Sequence, residues 1–201
     1  MKKIIFCSLI IAVMTGIIGC SRGAKSLDIN EISENTMLAR ANGTLQVATV
    51  EEFNKDYYSF EELTEFVKNQ VDAYNAKAGG DKVTIGTNDL LKKNDKAIML
   101  LTYSGMDQYT AFNEVTAAYF TGGIKDNPLA LPDSLVNAGN NSQTGTQEVI
   151  QNGKYKILVV NEPYNIVVDG KLKYYSGNAK LLEDDVVRSA DEGMTVIVFK
   201  P

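Results

Sequence analysis

The sequence predicts an α+β fold in which antiparallel sheet predominates. Three observations support this class: one amphipathic helical stretch lies in the N-terminal half, short runs of alternating apolar and polar residues surround it, and the C-terminal half consists almost entirely of such runs. We therefore expect one long helix, roughly ten short strands and a mostly β C-terminal half.

The first two strands are predicted on either side of Asn42-Gly43. Thr36–Ala41 and Thr44–Phe53 flank this pair. Asn-Gly tolerates positive φ at both positions, as a tight two-residue hairpin requires. The sequence therefore predicts a hairpin at the start of the folded domain.

The long helix is predicted to begin after Ser59, which can cap the first turn and is followed three residues later by Glu62. Gly79-Gly80 supplies the stop. Apolar side chains at helical spacing predict a stripe that packs against a sheet: Leu63, Phe66, Val67, Val71, Tyr74 and Ala78.

Two further strands and a short helix are predicted next. Val83–Leu91 and Lys96–Tyr103 read as strands joined by the polar turn Lys92–Asp95, and the second is apolar on both faces, as in a central strand. Ser104 and Asp107 can open a short helix. Residues 117–120 then return to an extended conformation before Gly122-Gly123.

Residues 124–147 interrupt this rhythm with prolines and a run rich in Asn, Gly, Ser and Thr, which predicts a long exposed loop. The loop would separate two possible subregions, 36–125 and 148–201, of a single domain spanning 36–201. Beyond it, Asp169-Gly170 predicts a second hairpin. The expected strands after the loop are Tyr155–Val160, Tyr164–Val168, Leu172–Ser176, Leu181–Arg188 and Met194–Lys200.

The first twenty residues have the layout of an export signal. Lys2 and Lys3 form a positive start, Ile4–Ile18 form an uncharged apolar stretch too short for a trusted membrane span, and Gly19 precedes Cys20. An uncleaved signal anchor and an ordinary secreted protein are the alternatives to cleavage and anchoring at Cys20.

Ile17-Ile18-Gly19-Cys20 resembles a bacterial lipobox. The resemblance implies that residues 1–19 are removed as a signal peptide and that the Cys20 thiol carries a diacylglycerol. The protein would then be held by lipid on the extracytoplasmic face of the cell membrane, since two acyl chains anchor a protein stably. Residues 20–35, mostly polar, would form a flexible tether with an r.m.s. span of about 20 Å.

The composition excludes several kinds of chemistry. The chain has no histidine, which removes Ser-His-Asp triads and His-ligated metals. Its two cysteines are Cys7, within the signal, and Cys20, so the folded domain has no thiol for a disulfide or a nucleophile. Loss of Lys2 and Lys3 changes the formal net charge from −5 to −7. Nucleic-acid binding is therefore not expected, nor is any cofactor or metal.

The order of several short motifs also resembles an uncharacterised group of surface lipoproteins from clostridial Gram-positive bacteria. The motifs are Val50-Glu51-Glu52-Phe53, Asp56-Tyr57-Tyr58, Tyr74-Asn75 and Asp107-Gln108-Tyr109-Thr110-Ala111-Phe112-Asn113. The resemblance implies a membrane-attached, outward-facing domain without a known activity, and it carries over no functional residue beyond Cys20.

Candidate sites are few, because no serine-nucleophile, phosphate-loop or calcium-loop motif is present. No catalytic residue is assigned. Carboxylates occur together in Glu51-Glu52 with Asp56 and in Glu183-Asp184-Asp185. A surface for stacking on sugars or peptides would need several exposed tyrosines; the candidates are Tyr57, Tyr58, Tyr109, Tyr119, Tyr174 and Tyr175.

Three functions follow as hypotheses. The first is a non-enzymatic binding or adaptor module whose partner is an unknown envelope protein or polymer. The second is a cell-envelope hydrolase that uses paired carboxylates. The third is a solute-binding lipoprotein, which would need a closed, ligand-sized pocket between two halves of the chain.

Overall fold

A computed structural model describes residues 25–123 and 129–201. The predicted signal, Cys20 and Pro128 lie outside these residues. The described part has the predicted α+β class, with mostly antiparallel strands in two sheets and the largest helix in the N-terminal half. Its three helices are α1 (Phe60–Ala78), α2 (Met106–Asn113) and α3 (Thr146–Ile150).

The first sheet, sheet A, contains eight of the described strands. They are β1 (Thr36–Ala39), β2 (Leu45–Glu52), β3 (Val83–Thr84), β4 (Leu90–Lys93), β5 (Lys96–Tyr103), β10 (Asn165–Val168), β12 (Lys180–Glu183) and β13 (Val186–Arg188). The order across the sheet is β12-β13-β10-β1-β2-β5, and β5 pairs along its far side with both β3 and β4. All pairs are antiparallel except β1 with β10, which is parallel.

The second sheet, sheet B, contains the other six described strands in the order β6-β9-β14-β11-β7-β8. They are β6 (Ala118–Thr121), β7 (Ser134–Asn137), β8 (Gln143–Gly145), β9 (Lys156–Val160), β11 (Lys171–Ser176) and β14 (Thr195–Lys200). Both sheets combine strands from before and after residue 147. The two possible subregions, 36–125 and 148–201, are therefore not separate units, because one core runs through both.

The main core lies between the two sheets and follows strand alternation. Leu101 and Tyr103 of β5 share it with Leu158 of β9 and Phe199 of β14, all buried. The alternate residues of these strands point to the outer face of their sheet, where other segments of the chain cover them. Ile157, Val159, Val196 and Val198 meet α3 on the outer face of sheet B, for example. Both faces of the central strands are thus covered, which explains their continuous apolar runs.

The first predicted hairpin is confirmed, with a difference in its turn. β1 and β2 are antiparallel neighbours, but of Asn42 and Gly43 only Gly43 has a positive φ, of 92°. A turn with positive φ at both central residues occurs instead between β4 and β5, at Asn94 (50°) and Asp95 (59°). The strand predicted over Val83–Leu91 is split into β3 and β4.

The capping of α1 is confirmed. Ser59 Oγ accepts a hydrogen bond from the Glu62 amide at 3.2 Å, and Gly79 ends the helix with φ 74°. The predicted apolar stripe is wrong at Phe66, which is 60% exposed, and at Ala78, which is also exposed, whereas Val67 and Val71 are buried. Neighbouring helical residues are about 100° apart around the axis, so burying Val67 turns Phe66 toward solvent.

The C-terminal half of α1 is the part that is firmly attached. Asn75 Nδ2 donates to the Val83 carbonyl at 2.7 Å, and its Oδ1 accepts from the amides of Lys82 (2.9 Å) and Val83 (3.0 Å). The Tyr74 ring packs edge-on against Phe112 at 5.3 Å. These contacts join the end of the helix to the edge of sheet A and to α2.

Two predicted features of the second half are wrong. Asp169-Gly170 does not close a hairpin, because β10 belongs to sheet A and β11 to sheet B, so the chain turns a corner between sheets there. The predicted loop over 124–147 contains strands β7 and β8, which pair as a hairpin on the edge of sheet B. Asn141, with φ 59°, supplies the left-handed residue of that hairpin connection.

Residues 25–35 also differ from the prediction, because they pack on the domain instead of forming part of a free tether. Ile29 is buried on the outer face of sheet A against Ala48, Ile98 and Leu100. The Leu27 amide donates to Gln46 Oε1 at 3.0 Å. Residues 20–24 of the predicted tether lie outside the described part of the chain.

Candidate functional site

Exposed apolar side chains are concentrated at the start of α1. Four large apolar residues are exposed in the described part of the chain, and three lie within ten positions: Tyr57 (78%), Tyr58 (41%) and Phe66 (60%). The fourth, Leu182 (44%), is in the edge strand β12. Such grouping marks the region around residue 57 as the candidate functional surface.

Four of the rings in this region contact one another and form what we call the aromatic ridge: Phe53, Tyr57, Tyr58 and Phe60. Phe53 is buried just after β2, and its ring centroid is 5.0 Å from that of Tyr58 and 6.1 Å from that of Phe60. Tyr57 meets Tyr58 at 4.9 Å with an interplanar angle of 78°. These tilted and edge-on pairs hold the exposed rings in place.

The surroundings of the aromatic ridge are strongly acidic. Residues 51–66 carry one basic side chain, Lys55, and six carboxylates, all exposed: Glu51, Glu52, Asp56, Glu61, Glu62 and Glu65. Further cations come from β4 and β5: Lys92 Nζ lies 5.1 Å from the Phe53 ring centroid, and Lys96 lies opposite Glu52 and Lys93 in the sheet. The ridge therefore combines exposed π faces with a negative local field.

The aromatic ridge lies at the end of β2 that is remote from Lys25. The Lys25 carbonyl accepts a hydrogen bond from Arg40 Nε at 3.1 Å, and Arg40 leads into the start of β2. Phe53 follows the last residue of that strand. Eight extended residues separate the two ends by roughly 23 Å.

A second polar group of interest is Glu162, in the connection between β9 and β10. Burial raises the pKa of its carboxyl, and hydrogen bonding from the amides of Asn161 and Glu162 and from Tyr109 opposes this rise. Within the described residues, Glu162 Oε2 is buried without a hydrogen-bond partner. This carboxyl can therefore keep a proton at a higher pH than an exposed one.

Two tyrosines, Tyr109 and Tyr164, interact with Glu162, and a third, Tyr103, packs behind Tyr109. The hydroxyls of Tyr109 and Tyr164 are 3.5 Å apart, and the Tyr109 ring packs edge-on against Tyr103 at 5.3 Å. Burial raises the pKa of all three phenols, which are neutral donors at physiological pH. Because Tyr109 has one phenolic proton, it cannot donate to Tyr164 and to Glu162 at the same time.

The six tyrosines expected to share one surface do not. Tyr109 is 1% exposed and Tyr175 is 9% exposed, so both belong to the core and cannot be surface contacts. Tyr119 is partly buried and donates to the Arg40 carbonyl at 2.9 Å. Tyr174 lies on the opposite face of β11 from Tyr175, as strand alternation requires, and packs near Tyr155. Tyr57 and Tyr58 alone of these six are both exposed and in contact.

The acidic runs do not form a paired-carboxylate site. Glu51, Glu52 and Asp56 are exposed beside the aromatic ridge. In the second run, Glu183 and Asp184 are exposed, whereas Asp185 is ion-paired with Lys25. Glu162, the carboxyl with the raised pKa, stands apart from both runs in sequence.

An open depression of about 220 Å³ lies at one end of the central strands of sheet A, close to the start of β1 and β10. Its lining residues are Ser33, Glu34, Asn35, Val50, Lys96, Pro163 and Arg188. It is smaller than the roughly 300–1,000 Å³ of typical small-molecule sites. The depression therefore does not supply the closed pocket that a solute-binding lipoprotein needs.

Two members of the aromatic ridge, Phe53 and Phe60, escaped sequence analysis because each also fits a core position. One sequence feature could have indicated the ridge: four aromatic residues occur within eight positions, Phe53-x-x-x-Tyr57-Tyr58-x-Phe60, at the start of a capped helix. Glu162 gave no signal in the sequence, because its burial depends on α2, which comes from a distant part of the chain.

Within the described residues, no helix has the length and apolarity needed to span a bilayer. Comparison of the chain with protein-family models, with curated proteins and with solved structures finds no match.

Proposed function

We propose that this protein is a lipid-anchored, extracytoplasmic binding module of the cell envelope that acts without catalysis. The observation that carries the proposal is the aromatic ridge with its exposed Tyr57 and Tyr58. Both faces of the central strands are already covered by other segments. The domain therefore has a complete core without Tyr57 and Tyr58, and their exposure is not the result of a missing hydrophobic core. Exposed, mutually supported tyrosines are typical of surfaces that bind a partner.

The lipobox resemblance at Cys20 supports the anchoring part of the proposal. Lys25, which is held to the domain by Asp185, lies five positions after Cys20. An extended chain of five residues spans at most about 18 Å. An anchored domain would therefore stay close to the bilayer, with the aromatic ridge at its far end.

Two measurements on cells that express the full chain test the proposal. An alkyne fatty acid should label the wild type and not the Cys20→Ser variant. In-cell cross-linking with mass spectrometry should recover a partner that depends on the anchor. Absence of the label on the wild type would overturn the anchor, and cross-links that do not depend on Tyr57 or Tyr58 would overturn the binding surface.

A hydrolase is the second candidate, and Glu162 is the observation that favours it. A general acid needs a carboxyl with a raised pKa, which Glu162 has. A hydrolase of this kind also needs a second carboxylate, and Glu51 is the candidate. The negative charges of Glu51 and Glu162 both act on the Tyr164 phenol. Release of reducing ends or free amines from purified cell wall by the wild type, abolished in Glu162→Gln, would favour this function over binding.

A further inference from the structure

We infer that the aromatic ridge and the carboxylates around it dock a cationic polypeptide segment of a partner protein. The segment would present Lys or Arg side chains between apolar ones. This inference rests on the proposed binding function and specifies the chemistry of its partner.

The apolar part of the surface is held by contacts among its own rings. Tyr57 and Tyr58 contact each other edge-on, and Tyr58 rests on the buried ring of Phe53. Tyrosine has few rotatable bonds, so fixing it on binding costs little conformational entropy. Aliphatic side chains placed over these rings would bury area that is now exposed, Tyr57 above all.

The electrostatic part selects a cation. Residues 51–66 carry six exposed carboxylates and one cation, Lys55, and the adjoining ends of β4 and β5 add Lys92, Lys93, Asp95 and Lys96, so this surface has a formal charge of −3. An opposite charge on the partner steers association and fixes its orientation. The ridge already receives one ammonium group from its own chain, that of Lys92 over the Phe53 ring. A partner lysine or arginine placed against the exposed rings would make the same kind of contact.

Other occupants fit less well. An anionic bilayer would be repelled by the carboxylates. A neutral glycan could stack on Tyr57 but would gain nothing from the six acids, so salt would not affect its binding. A second copy of the chain would bring two acidic surfaces together.

The test uses the full chain in nanodiscs of zwitterionic lipid, with nanodiscs lacking protein as the blank. Three fluorescent 12-residue peptides serve as probes; they repeat Lys-Leu-Gly, Glu-Leu-Gly or Lys-Ser-Gly. Binding is measured as a rise in fluorescence anisotropy. We expect the Lys-Leu-Gly peptide to bind, and its affinity to fall as the salt concentration rises. We expect the peptide without cations and the peptide without leucine to bind at least about tenfold more weakly.

Variants localise the binding. Tyr57→Ala and Tyr58→Ala should each weaken the Lys-Leu-Gly peptide about tenfold. Leu182→Ala, which removes an exposed apolar side chain from β12, is the matched control and should have no effect. Far-UV circular dichroism and a urea midpoint close to those of the wild type would show that each variant is folded.

A second pair of variants tests the charge. Glu52→Gln with Asp56→Asn should weaken binding and reduce its dependence on salt. Glu183→Gln with Asp184→Asn removes the same charge from the exposed end of β12 and the turn after it, and should leave binding unchanged.

Equal binding of the three peptides, or equal loss with Leu182→Ala and Tyr57→Ala, would overturn the inference. Salt-independent binding of a chitin hexamer through Tyr57 would also overturn the inference and identify the ligand as a glycan. Binding to vesicles of anionic phospholipid would overturn it in favour of a membrane surface. Fatty-acid labelling of the same protein keeps the two proposals apart. If the chain is labelled but binds no peptide, the anchor is supported and the docking surface is overturned. If the chain is not labelled but binds the peptide, the docking surface is supported and the anchor is overturned.

Discussion

Lys25 Nζ is ion-paired with Asp185, which lies 160 positions later in the chain, and also donates to the Val168 carbonyl at 3.0 Å. Asp185 is in the turn between β12 and β13, and Val168 ends β10. The start of the described chain is thus fastened to strands of the C-terminal half. Both charged side chains are about one-quarter exposed, at 27% and 22%.

Lys25→Ala should loosen residues 25–33 without unfolding the domain. Loss of one partly exposed ion pair and one hydrogen bond should lower the free energy of unfolding by about 1 kcal/mol. Hydrogen exchange should accelerate at the Leu27 amide, which donates to Gln46. Lys55→Ala removes an exposed lysine elsewhere and is the control. Unchanged exchange at Leu27 would contradict the pinning role of Lys25.

Asn75→Ala should destabilise the protein by about 2 kcal/mol, because it removes three hydrogen bonds and leaves backbone groups of β3 without partners. Asn69→Ala, at an exposed position of the same helix, is the matched control. Urea denaturation of both variants measures the difference. Equal midpoints would show that Asn75 does not hold α1 to sheet A.

Glu162 should make stability depend on pH. Because its pKa is higher in the folded than in the unfolded chain, the folded state holds the proton more tightly. The resulting stabilisation is fully present below the unfolded pKa, near 4.5, and is lost as pH rises through the raised folded pKa. Glu162→Gln, which keeps the shape and cannot ionise, should flatten this part of the pH profile and be more stable than the wild type at neutral pH. Urea denaturation from pH 5 to 8 tests this; parallel profiles for the two proteins would contradict it.

Gly170→Ala should destabilise the corner between the sheets. Gly170 has φ 157°, and a Cβ there would collide with the Lys200 carbonyl oxygen. Neither backbone can give way without disturbing β11 and β14, so a loss of about 2 kcal/mol or more in unfolding free energy is expected. Gly177→Ala is the control, since a Cβ at that position meets only the Val136 side chain at 4.0 Å. A melting temperature equal to that of the wild type would refute the collision.

Local signals predicted local structure well. Ser59 with Glu62 and Gly79 placed both ends of α1, and the run from Ala97 to Leu101 marked a strand buried on both faces. These signals succeed because capping and alternation are decided by neighbours in the chain.

Long-range pairing was not predictable in the same way. Asp169-Gly170 has the residues of a hairpin turn, yet β10 finds its partner in β1 and β11 finds its partners in β7 and β14. The docking of Ile29 depends on the outer face of sheet A, which exists only after β2 and β5 have paired. For the same reason, composition could not distinguish the exposed Tyr57 from the buried Tyr109.

The parallel pairing of β1 with β10 bears on how fast the chain can fold. Thr36 and Asn165 are neighbours in sheet A although 129 positions separate them. Closing so long a loop costs conformational entropy before the strand contacts that offset this cost have formed. Folds dominated by such distant pairings therefore form slowly. Sheet A is incomplete until β13 (Val186–Arg188) has been made, and sheet B until β14 takes its place between β9 and β11. Neither sheet can therefore reach its full set of strands until almost the whole chain has been made.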